Sequence, residues 1–269
     1  MAPFLSTFAN YWPGSTLPVT FALCSGGFVN IIYSFGLGYG LSMTANAGLA
    51  AWVARRKGRT LSLFGLACCG MYAAYGLRLT AFLWRRQSDA SYQPKLMMLE
   101  HKTTMMELGS RFGIVTGVAL SQALYALPLM VATSGSFERA GPLVRGIGWM
   151  GLVVAASGLV LEHVADEQKL AAKRLQPNQP LMSGLYQHCR HPNYLGEMLF
   201  HCGVCCFAAS GPPMQAMACM AAPAFMFSVM IGAARRLDKE GAHRYAEVPG
   251  YSLWVAQTPA LLPRLVVSE

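Results

Sequence analysis

Charged residues are scarce in this chain. They make up 12% of its 269 residues, whereas hydrophobic residues make up 54%. An average soluble domain carries about 25% charged residues, so the composition excludes an ordinary soluble protein. Long apolar runs fill most of the sequence, as is typical of membrane-spanning helices. We therefore predict an all-α polytopic membrane protein.

Acidic residues are the rarer charged type, with 12 Asp and Glu against 21 Lys and Arg, for a net charge of +9. The basic residues gather at the ends of apolar runs, as in Arg55–Arg59 and Arg85–Arg86, where they would meet lipid headgroups. A nucleic-acid-binding protein would instead interleave a basic stripe with exposed aromatic residues. We expect membrane lipids as partners, and no nucleic acid.

Two further features are missing from the sequence. No basic segment with a small-residue cleavage site precedes the first apolar run, so we expect no removable signal peptide. The eight cysteines form no disulfide framework, because all except Cys189 lie within apolar runs, where cysteine behaves as a small hydrophobic residue. Cys202-x-x-Cys205 has the spacing of a redox or metal pair, but helix packing is the preferred interpretation and no metal site is expected.

The hydropathy pattern predicts about seven spans in a single domain, residues 1–269. The predicted spans are about 12–31, 33–54, 61–84, 112–133, 143–164, 192–210 and 214–234, followed by a tail at 235–269. Gly211–Pro212–Pro213 predicts a turn between the last two spans. The basic loops at 85–111 and 165–191 would share one side with the tail, which the positive-inside rule makes cytosolic. The Arg55–Arg59 cluster falls on the other side and does not fit this rule.

A polar cluster, CRHPN at 189–193, runs directly into the sixth predicted span. Pro192 disfavours helical geometry at His191 and is itself favoured as the first residue of a helix. The free N–H groups of that helix, together with Arg190, predict an anion-binding site. Asn193, Glu197 and His201 are spaced four apart and share one face. We expect a polar stripe that descends from the anion site into the bilayer.

Charged residues flank this cluster on both sides in the sequence. Glu162, Asp166, Lys169 and Lys173 share one helix face, and Arg235, Arg236, Asp238, Lys239, Arg244 and Tyr245 follow the last predicted span. Ionisable groups at membrane depth commonly mark functional sites. Anchoring of Arg190, Lys173 and Arg235 to lipid headgroups remains the alternative explanation.

Four stretches resemble one protein family. They are GLYQHCRHPNYLGE (184–197), YGLRLTAFLWRR (75–86), EHVADEQKLAAKR (162–174) and RRLDKEGAHRYAEVPGYSLWVAQTPALLP (235–263). Together they are similar to the steroid 5-alpha reductase C-terminal family, and within it to the DUF1295 branch, over about residues 33–263. Isoprenylcysteine carboxyl methyltransferases share the Arg-His-Pro-x-Tyr core. Asn193 and Glu197 favour the reductase side.

The resemblance implies about seven helices around a cytosol-facing cavity that binds NADPH. It implies hydride transfer to an activated C=C bond of a lipid or steroid-like substrate, in the endoplasmic reticulum or else in a plastid or mitochondrial membrane. The positions that match the family's cofactor-binding residues are Asp166, Lys173, Tyr186, Arg190, Asn193, Tyr194, Glu197, Arg236, Asp238 and Tyr245. The family's carboxylate in the second span has no counterpart here. Tyr39, Tyr72 and Tyr75 remain equal candidates for a proton donor, so the catalytic residues stay unassigned.

Two other functions stay open at this point. The same cluster could hold S-adenosylmethionine, as in the methyltransferases that share the Arg-His-Pro core. The chain could also be a non-catalytic relative that serves as a structural subunit of a membrane complex. Binding of NADPH, of S-adenosylmethionine or of neither would distinguish the three.

Overall fold

The structure is a computed structural model, and it describes residues 16–262. Between these residues the chain forms helices, turns and loops, and no strand. The predicted all-α class is therefore confirmed. The first predicted span was expected to begin near Trp12, which lies outside the described residues.

Four helical segments are long and apolar enough to cross a membrane. They are Leu63–Gln87, Leu108–Ala132, Pro142–Leu175 and Pro213–Arg244, with Thr16–Phe28 as a shorter apolar segment. An integral membrane protein is the class that these segments indicate. The predicted spans at 33–54 and 192–210 are helical but are not among the four. The helix Pro192–Cys206 has 15 residues and is ~22 Å long, less than the ~30 Å hydrocarbon core.

Two helices extend beyond the membrane spans predicted within them. The helix that contains the predicted span 143–164 continues to Leu175, as the predicted helix face from Glu162 to Lys173 indicates. The helix that contains the predicted span 214–234 continues to Arg244. The turn predicted at Gly211–Pro213 is confirmed, since one helix ends at Cys206 and the next begins at Pro213.

The chain divides into two compact units, which we call the first unit (Met1–Val153 with Cys202–Pro223) and the second unit (Val154–His201 with Ala224–Glu269). The helices, in chain order, are α1 (Thr16–Cys24), α2 (Ile31–Tyr33), α3 (Tyr39–Arg56), α4 (Leu63–Gln87), α5 (Gln93–Thr104), α6 (Leu108–Leu124), α7 (Ala126–Ala132), α8 (Ser136–Arg139), α9 (Pro142–Leu175), α10 (Pro192–Cys206), α11 (Pro213–Cys219), α12 (Ala221–Arg244) and α13 (Tyr251–Gln257).

In the first unit, α3 and α4 touch through their backbones at Gly40 and Gly76. A Cβ atom on Gly40 would lie 2.9 Å from the carbonyl oxygen of Gly76, and a Cβ atom on Gly76 would meet the carbonyl oxygen of Gly40. Each glycine is followed four residues later by a threonine, Thr44 or Thr80. This small-residue spacing lets membrane helices approach closely.

Helix α5 lies in the predicted loop 85–111 and is fixed by hydrogen bonds to the first residue of α2 and to the residue before it. The Ile31 N–H donates to the Thr103 hydroxyl at 3.2 Å, and the Asn30 side-chain amide donates to the Leu96 carbonyl at 3.4 Å. Arg111 also donates to the Phe28 carbonyl at 3.3 Å. The loop is therefore an ordered helical element of the first unit.

In the second unit, α9 and α10 cross at a second pair of glycines. A Cβ atom on Gly196 would lie 2.5 Å from the backbone nitrogen of Glu162 and 2.7 Å from the carbonyl oxygen of Gly158. A Cβ atom on Gly158 would lie 2.5 Å from the carbonyl oxygen of Gly196. The crossing therefore requires hydrogen at both positions, and it sets the polar face of α9 directly against α10.

We predict that Gly196→Ala destabilises the protein by about 3 kcal/mol, because the added methyl meets backbone atoms that cannot rotate away. The matched control is Gly232→Ala on α12, where a Cβ atom would meet nothing within 4 Å. That change should be neutral or stabilise by up to about 1 kcal/mol through helix propensity. The melting temperatures of both variants in detergent measure the difference. Equal melting temperatures for the two variants would contradict the close crossing.

Candidate functional site

The start of α10 has the geometry that its sequence predicts. His191 is not helical, and the helix begins at Pro192. The polar stripe along α10 is buried: Glu197 is 9% exposed and His201 is fully buried. The nearest carboxylate oxygen of Glu197 lies 3.7 Å from Nε2 of His201. These residues therefore face the interior of the protein and not the lipid.

Asn193 lies in the first turn of α10, one turn before Glu197. Its side-chain oxygen Oδ1 is buried and has no hydrogen-bond partner among residues 16–262. A buried acceptor without a donor costs about 1–3 kcal/mol. Such an atom at the start of a polar stripe suits a ligand that brings an N–H or O–H group.

The opposing helix in the second unit, α9, contributes two buried carboxyl groups. Glu162 is 3% exposed and Asp166 is 6% exposed. Lys169 and Lys173 continue the same face toward the end of the helix. Because the Glu162 backbone packs against Gly196, the acidic part of α9 and the polar stripe of α10 lie at the same level of the second unit.

Arg190 joins three segments of the second unit. Its guanidinium forms a two-point ion pair with Asp238 of α12, from Nε to Oδ1 at 3.1 Å and from Nη2 to Oδ2 at 2.8 Å. Its Nη1 donates to the carbonyl of Val255 at 2.9 Å and to that of Thr258. Four of its five N–H groups are thus used within the protein. The sequence predicted that Arg190 binds an anion. In the structure its guanidinium instead connects segments of the protein to one another.

The backbone of the signature loop, which we define as residues 184–191, pairs with the C-terminal segment 251–261. The Arg190 N–H donates to the Pro259 carbonyl at 2.9 Å, and the His191 N–H donates to the Ala260 carbonyl at 3.1 Å. The Trp254 indole N–H donates to the Tyr186 carbonyl at 3.1 Å. These hydrogen bonds therefore hold the C-terminal segment against the loop that precedes α10.

Lys173 and Tyr245, both predicted site residues, contact each other. The Lys173 ammonium donates to the Tyr245 hydroxyl at 2.9 Å and to the carbonyls of Pro177 and Gln179 at 3.2 and 2.6 Å. All three hydrogens of the ammonium group are thereby used. Lys173 closes the loop that follows α9 and fixes the Tyr245 hydroxyl.

The remaining predicted residues divide by exposure. Tyr186 is buried, and its hydroxyl donates to the Ala165 carbonyl at 3.2 Å. The Tyr194 ring stacks on the His191 imidazole, with centroids 5.6 Å apart. Arg236 is 68% exposed and lies 3.7 Å from Glu240, so its guanidinium can meet an anion from solvent. All ten predicted residues belong to the second unit.

Burial controls the ionisation of the side chains in the signature loop. It raises the pKa of the Tyr186 hydroxyl well above its ordinary range, with Asp166 adding to the effect. It also raises the pKa of the Cys189 thiol, while the His191 N–H and Arg190 act in the opposite direction. Both groups are therefore neutral near pH 7, and they act through packing and hydrogen bonds.

Three contributors to the site were missed or undervalued in the sequence. The imidazole Nε2 of His191 lies 2.9 Å from Oδ1 of Asp238. The Cys189 thiol lies 3.0 Å from the Leu261 carbonyl, and Trp254 binds the signature loop. The sequence signal for the last two is that Cys189 lies in the resembling stretch 184–197 and Trp254 in the resembling stretch 235–263. No group of three or more His, Cys, Asp or Glu within residues 16–262 is placed to hold a metal ion.

We predict that Arg190→Ala lowers stability by about 3 kcal/mol, the range for breaking a mostly buried ion pair, and frees the C-terminal segment for proteolysis. Arg190→Lys should restore only part of this, because an ammonium cannot make the two-point contact. The control is Arg236→Ala, an exposed arginine of the same unit, which should cost less than about 0.5 kcal/mol. Melting curves and limited trypsin digestion test the prediction. If trypsin cleaves the C-terminal segment of Arg190→Ala no faster than that of the wild type, Arg190 does not hold this segment in place.

We predict a pH effect that originates at His191. Burial lowers the pKa of this imidazole, with smaller contributions from Lys169 and Arg190 in the same direction, while Asp238 raises it. The folded state therefore binds the proton less readily than the unfolded state, whose histidine pKa is about 6.5. Stability should be constant above that pH and fall as pH drops through 6.5 toward the folded pKa.

His191→Asn has no imidazole at this position, so acid should not lower its stability through this group. The difference in melting temperature between His191→Asn and the wild type should therefore shrink as the pH is lowered from 7.5 to 5. His188→Asn, at an exposed position three residues earlier, should stay parallel to the wild type. A constant difference between His191→Asn and wild type across this range would reject the assignment.

Comparisons with known proteins were made for the whole chain. Residues 37–258 match the family described as "Protein of unknown function (DUF1295)". Neither the curated proteins nor the solved structures gave a significant match. The matched region includes both glycine crossings, the signature loop and α13, and it covers well over half of the chain. The protein described here therefore belongs to the DUF1295 family.

Proposed function

We propose that the second unit binds NADPH and that the protein is a membrane oxidoreductase that reduces an activated C=C bond of a lipid or steroid-like substrate. The observation that carries this proposal is the buried Asn193 Oδ1, which has no hydrogen-bond partner among the described residues. It lies one turn above Glu197. An acceptor pair of this kind suits the carboxamide and ribose hydroxyls of a nicotinamide nucleotide.

The chemistry of the surrounding residues fits such a ligand. The bound nucleotide would supply a hydride, and the reduced bond would take a proton as well, so that C=C becomes CH–CH. Asn193 and Glu197 would orient the nicotinamide end by accepting hydrogen bonds. Because α10 starts at Pro192, its first N–H groups and positive dipole end favour the anionic part of the ligand.

The phosphates need cations that are not used internally. Arg190 was expected to bind an anion and Lys173 was expected to contact the cofactor, but their donors serve Asp238, Tyr245 and main-chain carbonyls. Within the proposal they become positioning residues. Arg236 and its exposed neighbours Arg235 and Lys239 on α12 supply the cations for the phosphates, including the 2′-phosphate that distinguishes NADPH from NADH.

S-adenosylmethionine is the second candidate ligand, and one observation favours it. Three buried carboxyl groups, on Glu162, Asp166 and Glu197, lie in the second unit. A cationic sulfonium would meet favourable charge there, whereas an anionic nucleotide would not. The resemblance to the reductase branch, carried by Asn193 and Glu197, leads us to place NADPH first.

The finer topology belongs to the same proposal. Seven spans, a cavity open to the cytosol and residence in the endoplasmic reticulum are what the resemblance implies. The basic residues in the last turns of α9 and α12 support a cytosolic side for this end of the second unit, by the positive-inside rule.

We predict that NADPH raises the melting temperature of the purified protein more than NADH does. A ligand present at 100 times its dissociation constant should raise the free energy of unfolding by about 2.7 kcal/mol. Equal shifts from NADPH and NADH would remove the 2′-phosphate contact from the proposal. A shift with S-adenosylmethionine alone would select the methyltransferase, and no shift with any of the three would favour the non-catalytic subunit.

Variants of the acceptor pair locate the ligand in the same assay. Asn193→Leu and Glu197→Gln should each weaken NADPH binding by about 1–3 kcal/mol, the value of a lost buried hydrogen bond. Asn193→Leu should also raise the ligand-free melting temperature, because it removes an unsatisfied acceptor. Glu247→Gln, which removes an exposed carboxylate from the same unit, is the control and should bind normally. Normal NADPH binding by both α10 variants would move the site away from this face.

A further inference from the structure

Two buried amide side chains lie in the first unit. Neither residue belongs to the proposed nucleotide site. Asn46 on α3 is fully buried, and Gln122 on α6 is 2% exposed. The Asn46 amide nitrogen donates to the main-chain carbonyl of Gln122 at 2.8 Å. This bond fixes the orientation of the Asn46 amide, so its oxygen faces away from that carbonyl.

Both side-chain oxygens lack a donor. Oδ1 of Asn46 and Oε1 of Gln122 are buried and have no hydrogen-bond partner among residues 16–262. Asn46 lies ten residues before Arg56, which places it ~15 Å along the helix from that basic end. Gln122 lies near the middle of Leu108–Ala132, one of the four segments that are long and apolar enough to cross a membrane. An acceptor without a donor in such surroundings is strongly unfavourable.

Two nearby side chains already donate to main-chain carbonyls. α6 and α7 are separated at Tyr125, and Pro128 carries no N–H group for the carbonyl four residues earlier. The Tyr72 hydroxyl donates to the Tyr125 carbonyl at 3.0 Å, as Asn46 does to the carbonyl of Gln122. Side chains of α3 and α4 thus satisfy the main chain near this break. The two amide oxygens are left for something from outside the described chain.

The chemistry of the missing group follows from these atoms. Two acceptors require two donors. Residues 39–54 and 112–132 contain no Asp, Glu, Lys, Arg or His, so a charged ligand would find no opposite charge on these segments. The group must therefore be neutral and must carry two O–H or N–H donors, and its surroundings are apolar spans.

We propose that the first unit binds a lipid whose neutral head group carries two hydrogen-bond donors, as a 1,2-diol does, with Asn46 Oδ1 and Gln122 Oε1 as its acceptors. This site does not depend on the nucleotide proposal, since it uses other residues and requires no reaction. If the nucleotide proposal also holds, the two amide oxygens select the head group of the lipid substrate.

The test compares dodecane-1,2-diol with 1,2-dimethoxydodecane, which has the same chain but no donors. Both are titrated into the purified protein in detergent, and binding is followed by melting temperature and by native mass spectrometry. We expect the diol to bind at least tenfold more tightly than the dimethoxy compound. Dodecan-1-ol, with one donor, should fall between them.

Variants assign the preference to the two amides. Gln122→Leu keeps the main-chain carbonyl that Asn46 binds, so it removes only the acceptor. It should abolish the preference for the diol and raise the ligand-free melting temperature. Gln215→Leu is the matched control, because Gln215 is another buried amide of the first unit with no partner among the described residues; it should keep the full preference.

A diazirine-labelled diol gives a readout in the wild-type protein that does not depend on any variant. Its crosslinks should map to the peptides that contain α3 or α6. Equal binding of the diol and the dimethoxy compound by wild type, an unchanged preference in Gln122→Leu, or crosslinks confined to other helices would each overturn the proposal.

Discussion

The ion pair between Arg190 and Asp238 is the contact on which the second unit depends. Arg190 precedes α10, Asp238 lies on α12, and the same guanidinium holds the carbonyls of Val255 and Thr258 in the C-terminal segment. Removing either partner would leave a mostly buried charge without its counterion. The signature loop, α12 and the tail thus all contact a single side chain.

The glycine crossing determines which groups meet deeper in the second unit. With hydrogen at Gly158 and Gly196, the α9 backbone comes close enough for Glu162 to lie against α10. Helices separated by ordinary side chains stand 8–10 Å apart and would leave the buried carboxyl groups further from Asn193 and Glu197. Close backbone packing therefore concentrates polar chemistry in a region that is otherwise apolar.

Much of this architecture follows from local sequence rules. Pro192 predicted the first residue of α10, and the spacing of Asn193, Glu197 and His201 predicted a shared face that the structure buries. The rules failed where partners are distant in the sequence. No local sequence pattern shows that Arg190 donates hydrogen bonds to residues 48 to 68 positions later in the chain, or that Lys173 donates one to Tyr245. Hydropathy likewise overestimated the length of the helix at 192–210, because it cannot register where a helix ends in turns that are still apolar.

The pairing of the signature loop with the C-terminal segment has a consequence for biosynthesis. The main-chain N–H groups of Arg190 and His191 find their acceptors only at residues 259 and 260, which are translated well after the signature loop itself. The ribosome must therefore synthesise the chain through residue 260 before this site can close. A premature stop codon directly after α13 would leave the apolar helices of 63–244 intact and able to insert, yet the product would carry an unfinished signature loop. Quality control in the cell would face a protein that is correctly inserted in the membrane and incompletely folded at one edge.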